Sequence, residues 1–355
     1  MRWFKEHLVP LDVKHAVDRV WHLYMMFSPE VNFRNFTHLV DNARPFQATD
    51  PRDKIYALLE HQHAHLPSGE SIVEPDYRKT TLEVYREATM KLIQGGQSID
   101  IFSCIQHDPA TSAIDPDFPS WVPRFDQSYG VRVLGRYTSD HLAGANNPFP
   151  SELISQDCEL NVLTVRGIFF DTIGCHSHSL RASSFDLTDL SDVLENPVRA
   201  IWITAKLGTT PAAYPGGGTM ENAFIYTLTA GGAVGSESDF WAYWLRIFEA
   251  GFDPDNCSGA DFRLHRSLSR HAEGGSWMRF QDTVSEVCNG RKFIFTNRGY
   301  MGLGPGAAQL GDRVVVLFGA DVPMVVRRRE DGRYAVIGEC YMYGIMAGQV
   351  VRTWR

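Results

Sequence analysis

Three histidines at alternate positions, His61, His63 and His65, are the first group of side chains that could hold a metal. Alternate residues of a helix do not share one face, and no neighbouring Asp, Glu or Cys completes an obvious site. A polar helix end before Pro67 is the plainer reading, and His176 and His178 in a Ser-rich stretch read the same way. Gly302-Leu303-Gly304-Pro305-Gly306 has the outline of a dinucleotide loop. The sixth position is Ala307, Pro305 lacks a backbone donor, and turn chemistry follows in place of a helix, so a glycine-rich connection between strands is expected. No Walker A loop, H-E-x-x-H, G-x-S-x-G or kinase signature occurs. The densest charge lies at Asp50-Pro51-Arg52-Asp53-Lys54. There Arg52 either reaches a carboxylate or loop carbonyls, or takes a phosphate; the structural role is the stronger reading. No catalytic, cofactor-binding or metal-ligating residue is assigned, and no cofactor is expected.

The elements that would position these residues follow from pattern and capping. Val13, Val17, Val20, Trp21 and Tyr24 predict an amphipathic helix over 12–27. Pro51 at a first-turn position predicts a helix running through Ile55, Tyr56, Leu58 and Leu59. Another runs from Thr80 to Gly95-Gly96, with further helices from Asn196-Pro197, over 220–230, from Ser238 and over 274–288. A strand pair is expected over 160–170, from Leu160 to Phe170. Beyond 290 short strands follow: 293–295, 313–318, 323–326, 333–337 and 340–343, with Asp331-Gly332 as a hairpin turn. Gly299, Gly302, Gly304 and Gly311 are expected as turns and bends. The reading is an α+β protein with a mainly helical part, 1–290, and a small antiparallel β-barrel-like module, 291–355.

The chain has 355 residues, of which 44% are hydrophobic and 21% charged, enough to bury a large core. Its net charge of −8 argues against a general nucleic-acid binder. The one dense basic run, Arg327–Arg329, reads as a solvated strand end. No apolar stretch approaches a membrane span. The N-terminus carries charges where a signal peptide needs an apolar run. The six cysteines show no paired spacing, so all are expected reduced in a cytoplasmic protein.

Three strings carry a resemblance. The first is Asp50-Pro51-Arg52-Asp53-Lys54-Ile55-Tyr56-Ala57-Leu58-Leu59 with Pro75-Asp76-Tyr77 and Val84-Tyr85; the second is Pro119-Ser120-Trp121-Val122-Pro123. The third runs from Phe293-Ile294-Phe295-Thr296 through Gly299-Tyr300-Met301-Gly302-Leu303-Gly304-Pro305, Gly311-Asp312 and Pro323 to Gly338-Glu339-Cys340-Tyr341-Met342-Tyr343-Gly344-Ile345-Met346. Over roughly 40–355 the chain resembles the region downstream of the HET domain in the heterokaryon-incompatibility proteins of filamentous fungi. The HET-domain strings Ser-Tyr-x-Trp-Gly and Asp-x-x-Cys-Ile-x-Gln do not occur. The resemblance therefore implies a HET-type protein without its effector domain, either a truncated paralogue or a shortened gene model, in a family tied to nonself recognition and programmed cell death. It implies a regulatory or interaction role more than an enzyme, with another protein as partner, first of all a full-length relative. The alternative is an ancillary protein or enzyme of a fungal secondary-metabolite pathway.

Glu339 lies in an otherwise apolar strand run, where a buried carboxylate needs a partner. Arg52 is the expected partner, which would lock the sheet to the helices; strand alternation alternatively points Glu339 to solvent.

Overall fold

The computed structural model describes residues 35–353 except 97–98, 111–113, 116, 135–140, 145–154, 158–160, 191–192, 206, 208–212 and 233–236. The helix expected over 12–27 lies outside them. The helices among the described residues are α1 (Phe36–Ala43), α2 (Asp53–Tyr56), α3 (Thr81–Gly96), α4 (Pro197–Thr204), α5 (Met220–Leu228), α6 (Glu237–Glu249), α7 (Gly259–His271), α8 (Trp277–Cys288) and α9 (Gln349–Thr353). Reciprocal capping starts α3: Glu83 N–H donates to Thr80 Oγ1 at 3.3 Å, and Thr80 N–H donates to Glu83 Oε2 at 2.7 Å. Asn196 caps α4 and Pro197 opens it, as the sequence predicts. Helix α2 is shorter than expected, because Leu58 and Leu59 continue it only as i→i−3 turns. Helix α7 escaped the periodicity reading, being exposed along nearly its whole length, although Ser258 and Asp261 form a complete capping box.

The strands are β1 (Ser155–Asp157), β2 (Val162–Thr164), β3 (Gly167–His176), β4 (Arg291–Thr296), β5 (Met301–Pro305), β6 (Arg313–Leu317), β7 (Met324–Arg328), β8 (Tyr334–Glu339) and β9 (Tyr341–Met342). The strand pair expected near 160–170 is not formed as such. Strand β2 pairs with β1, while β3 enters a seven-stranded antiparallel sheet of order β8-β7-β6-β3-β4-β5-β9. The α+β class holds, but the ladder is open where a barrel-like closure was expected. Cys340 alone separates β8 from β9, so the chain steps directly from one edge of the sheet to the other. The Gly302–Gly306 stretch is mostly strand, not a connection. Gly302 pairs with Met342, and a Cβ there would lie 2.5 Å from the Tyr341 carbonyl oxygen, so only glycine permits the approach. The Asp331-Gly332 turn joins β7 to β8 as predicted, with Gly332 at φ +83.

Buried side chains form two clusters on opposite faces of the sheet. Val314 and Val316 of β6 join a core built with Phe224, Phe240, Phe280 and Phe293. Val315 and Leu317 join a second core with Phe36, Tyr85, Phe102 and Trp121. The unbroken apolar run of β6 is thus the signature of a strand covered on both sides.

One ion pair crosses the curl of this sheet. Arg291 opens β4 and Glu339 ends β8, strands that are not neighbours in the ladder, yet Arg291 Nη2 lies 2.5 Å from Glu339 Oε1. Both residues are buried, at 1% and 3% exposure. Leu134 N–H donates to the same carboxylate oxygen at 2.7 Å, and Arg291 Nη2 donates to the Arg132 carbonyl at 2.7 Å. Burial pushes the Glu339 carboxyl up, and the Arg291 guanidinium, the Leu134 amide and the Ser103 hydroxyl pull it back. The expectation that Glu339 is buried and paired is met, but its partner is Arg291. Strand alternation puts Arg291 on the face of Phe293 and carries its guanidinium inward, whereas Arg52 finds its acceptors elsewhere.

Breaking the pair from one side should be costly. Glu339→Ala or Arg291→Ala is expected to lower stability by about 3–5 kcal/mol, because each strands the other charge. The double Arg291→Met/Glu339→Leu variant should cost clearly less than the sum of the two single losses. Urea unfolding followed by tryptophan fluorescence measures all of these; additive costs would contradict the assigned role.

Candidate functional site

The first family-like string is a structural corner. Arg52 Nε and Nη2 donate to the two oxygens of Asp50 at 2.9 and 2.6 Å, and Nη1 donates to the carbonyls of Tyr77 and Lys79, each at 2.7 Å. Tyr77 hydroxyl donates to Asp53 at 2.6 Å, Tyr85 hydroxyl to the Pro51 carbonyl at 2.5 Å, and Tyr56 hydroxyl to the Asp76 carbonyl at 3.1 Å. The guanidinium that could have taken a phosphate spends four of its five N–H donors on this corner. Arg52 holds the Asp50 carboxyl at about 2, below its ordinary 3.8, and Arg78 does the same for Asp76.

The third string splits between turns and ladder. Gly299 and Gly311 sit in turns at positive φ, as does Gly344, while Gly302 and Gly304 lie within β5 and Gly338 within β8. Tyr300 packs edge-on against Phe170 at 4.8 Å, and Tyr341 is buried with its ring 5.7 Å from His141. Asp312 is buried and takes both Arg327 Nε and Nη2 at 2.8 Å, so half-buried Arg327 has a partner, while Arg328 and Arg329 are exposed as a solvated strand end would be. His61 and His63 stack at 5.3 Å, and among the described residues no three His, Cys, Asp or Glu side chains converge as metal ligands. Five cysteines are free thiols; Cys158 lies outside the described residues.

The second string forms the wall of a cavity. Trp121 Nε1–H donates to the Asn161 carbonyl at 2.9 Å, and Ser120 Oγ accepts from the Val336 amide at 3.1 Å. These bonds fasten the string to β2 on one side and to edge strand β8 on the other. Between them lies an open cavity of roughly 470 Å³ whose floor is Val315, Leu317 and Val326. Phe118 and Trp121 stand on one side; Phe169 and Tyr334, with ring centroids 5.1 Å apart, stand on the other. Phe169 is 53% exposed, a large apolar surface left in water. Arg313 lies over both rings, at 5.1 and 5.8 Å, and donates to the Tyr334 hydroxyl at 3.2 Å. The cavity draws on strands distant in sequence, which is why no single motif announced it. The two prolines around Trp121 and the outward Phe169 were its only local signals.

Residues 256–355, which carry α7, α8, β4–β9 and α9, match the family model of the Het-6 beta-barrel domain. Over 118 residues the chain is 32% identical to heterokaryon incompatibility protein 6, OR allele, of Neurospora crassa. That alignment covers 32% of this chain and 16% of the relative, so the chain spans about a sixth of the curated relative it matches. No solved structure matches. The similarity to heterokaryon-incompatibility proteins thus rests on the C-terminal domain match and on a 118-residue alignment. No helix among the described residues is long and apolar enough to cross a membrane.

The corner at Asp50 and Asp76 makes a pH-dependent expectation. Both carboxyls are held below their unfolded value, so their contribution is complete above that value and is lost as pH falls through about 2. Amide exchange over 50–79 should therefore accelerate selectively between about pH 4 and pH 2. Asp50→Asn should remove about half of that acid sensitivity and the Asp50→Asn/Asp76→Asn pair most of it; an unchanged profile in the double variant would refute the assignment.

Proposed function

We propose that this chain is a non-enzymatic regulatory or protein-interaction member of the heterokaryon-incompatibility system of a filamentous fungus. It acts in the cytoplasm on another protein, as a decoy or modifier of a full-length relative, in nonself recognition and the cell death that follows. The observation that carries this reading is the match of 256–355 to the Het-6 beta-barrel domain. The family-like strings support it further, because their charged residues are spent on structure: Arg52 on its corner and Glu339 on Arg291. The finer barrel reading belongs here too. With Cys340 linking the two edge strands, 291–355 and β3 would form one barrel-like unit presenting the partner surface.

A second reading, an ancillary protein or enzyme of a secondary-metabolite pathway, is favoured by the 470 Å³ cavity. Expression separates the two. On the first reading, expression of this chain alone leaves hyphae viable, and a full-length relative co-precipitates with it. Rapid death on expression in a strain without such a relative would overturn the first reading. Loss of a metabolite with accumulation of its precursor on gene deletion would establish the second.

A further inference from the structure

We propose that the cavity between the Phe118–Trp121 segment and the sheet is a binding site for a neutral, largely apolar small molecule. Its size lies within the range of pockets that enclose such ligands, roughly 300–1,000 Å³. Its floor is aliphatic and its sides are aromatic, so the gain on filling it comes from apolar surface leaving water. Phe169 is the sharpest sign. About half of this ring stays in water beside Tyr334, and the pair is held in place: Arg313 covers both rings and bonds the Tyr334 hydroxyl. The site is thus shaped before any ligand arrives, which lowers the cost of binding.

Charge decides the ligand class. Arg329 and Arg333 stand at the rim, but so do Asp117 and Asp331, and Arg333 and Asp331 are 3.9 Å apart. These two cations and two anions offset one another, and the further cation, Arg313, is turned onto the Phe169 and Tyr334 rings and is not among the lining residues, so the lining offers no net charge to select an ionic group. Thr164 is a neutral polar residue of the lining, while Asn161 Oδ1 is taken by Arg86 Nη1 at 2.9 Å. The fit is therefore to a molecule with an apolar, ring-bearing body and few polar groups. The protein-partner reading above is independent of this one, and either can fail alone.

The probe is the neutral dye 1-N-phenylnaphthylamine, titrated by fluorescence into the full chain, with its sulfonated analogue 1-anilinonaphthalene-8-sulfonate in parallel. The neutral dye should bind saturably at one site and no more weakly than the sulfonate. Thr164→Trp, which fills the mouth, and Phe169→Ala, which removes a wall, should each weaken binding by about tenfold or more, the scale of losing an aromatic contact with its buried area. Both positions are exposed, so thermal unfolding should stay near that of the wild type. Binding within about twofold of the wild type in both folded variants would overturn the site. Binding of the sulfonate tenfold tighter than the neutral dye would overturn the ligand class. A dimer in sedimentation that Thr164→Trp dissociates would assign the cavity to a second copy and overturn the proposal.

Discussion

The buried contact between Arg291 and Glu339 is the constraint around which the rest is arranged. Two ionisable side chains sit almost wholly out of water, on strands that share no ladder bonds. Such a pair gains little over packed apolar groups, but it tolerates few alternatives. It joins the start of β4 to the end of β8, and through Leu134 N–H and the Arg132 carbonyl it holds residues 132–134 against them. Where the hydrogen-bonded order stops at β8, this contact and the single-residue step through Cys340 take over.

The second core has a gap. Strand β6 sends Val315 and Leu317 toward the N-terminal helices and Val314 and Val316 the other way. On the N-terminal side the covering layer is partly a proline-held segment, 118–123, in place of a helix. Such a segment is fastened at points, here by Ser120 and Trp121, and leaves space between them. The cavity is what remains when a sheet face is covered by bonds at its margin instead of side chains across its middle.

The sequence carried the local structure well and the long-range structure poorly. Thr80 with Glu83, Asn196 with Pro197 and Asp331-Gly332 all act within four residues, and each is where its chemistry placed it. Helix α7 was missed because its one buried apolar residue, Leu268, gives no stripe to detect, although Ser258 and Asp261 marked its start. The Gly302–Pro305 strand was hidden by its glycines, of which Gly302 is there because β9 passes so close, while Gly304 lies against Ile294. The partner of Glu339 could not be read from spacing, since a buried charge declares its need but not its mate. An arginine at the head of the apolar run Phe293-Ile294-Phe295 was the available hint. The cavity joins residues from 102 to 336, a convergence that no local pattern encodes.

Strand β3 lies between β4 and β6, yet both partners are made long after it: Cys175 pairs with Phe295 and Ile168 with Val316. On the ribosome, at about 5–20 residues per second, this apolar strand must wait on the order of ten seconds for either neighbour. Through that interval both of its edges are open to any other chain that offers a strand. The helices α4–α8 are synthesised in the gap and hold Phe224, Phe240 and Phe280 for the same core. Early helix assembly would therefore shelter one face of β3 but neither edge. The nascent chain is most vulnerable to misassembly in that window, and a chaperone that occupies strand edges would act on it there.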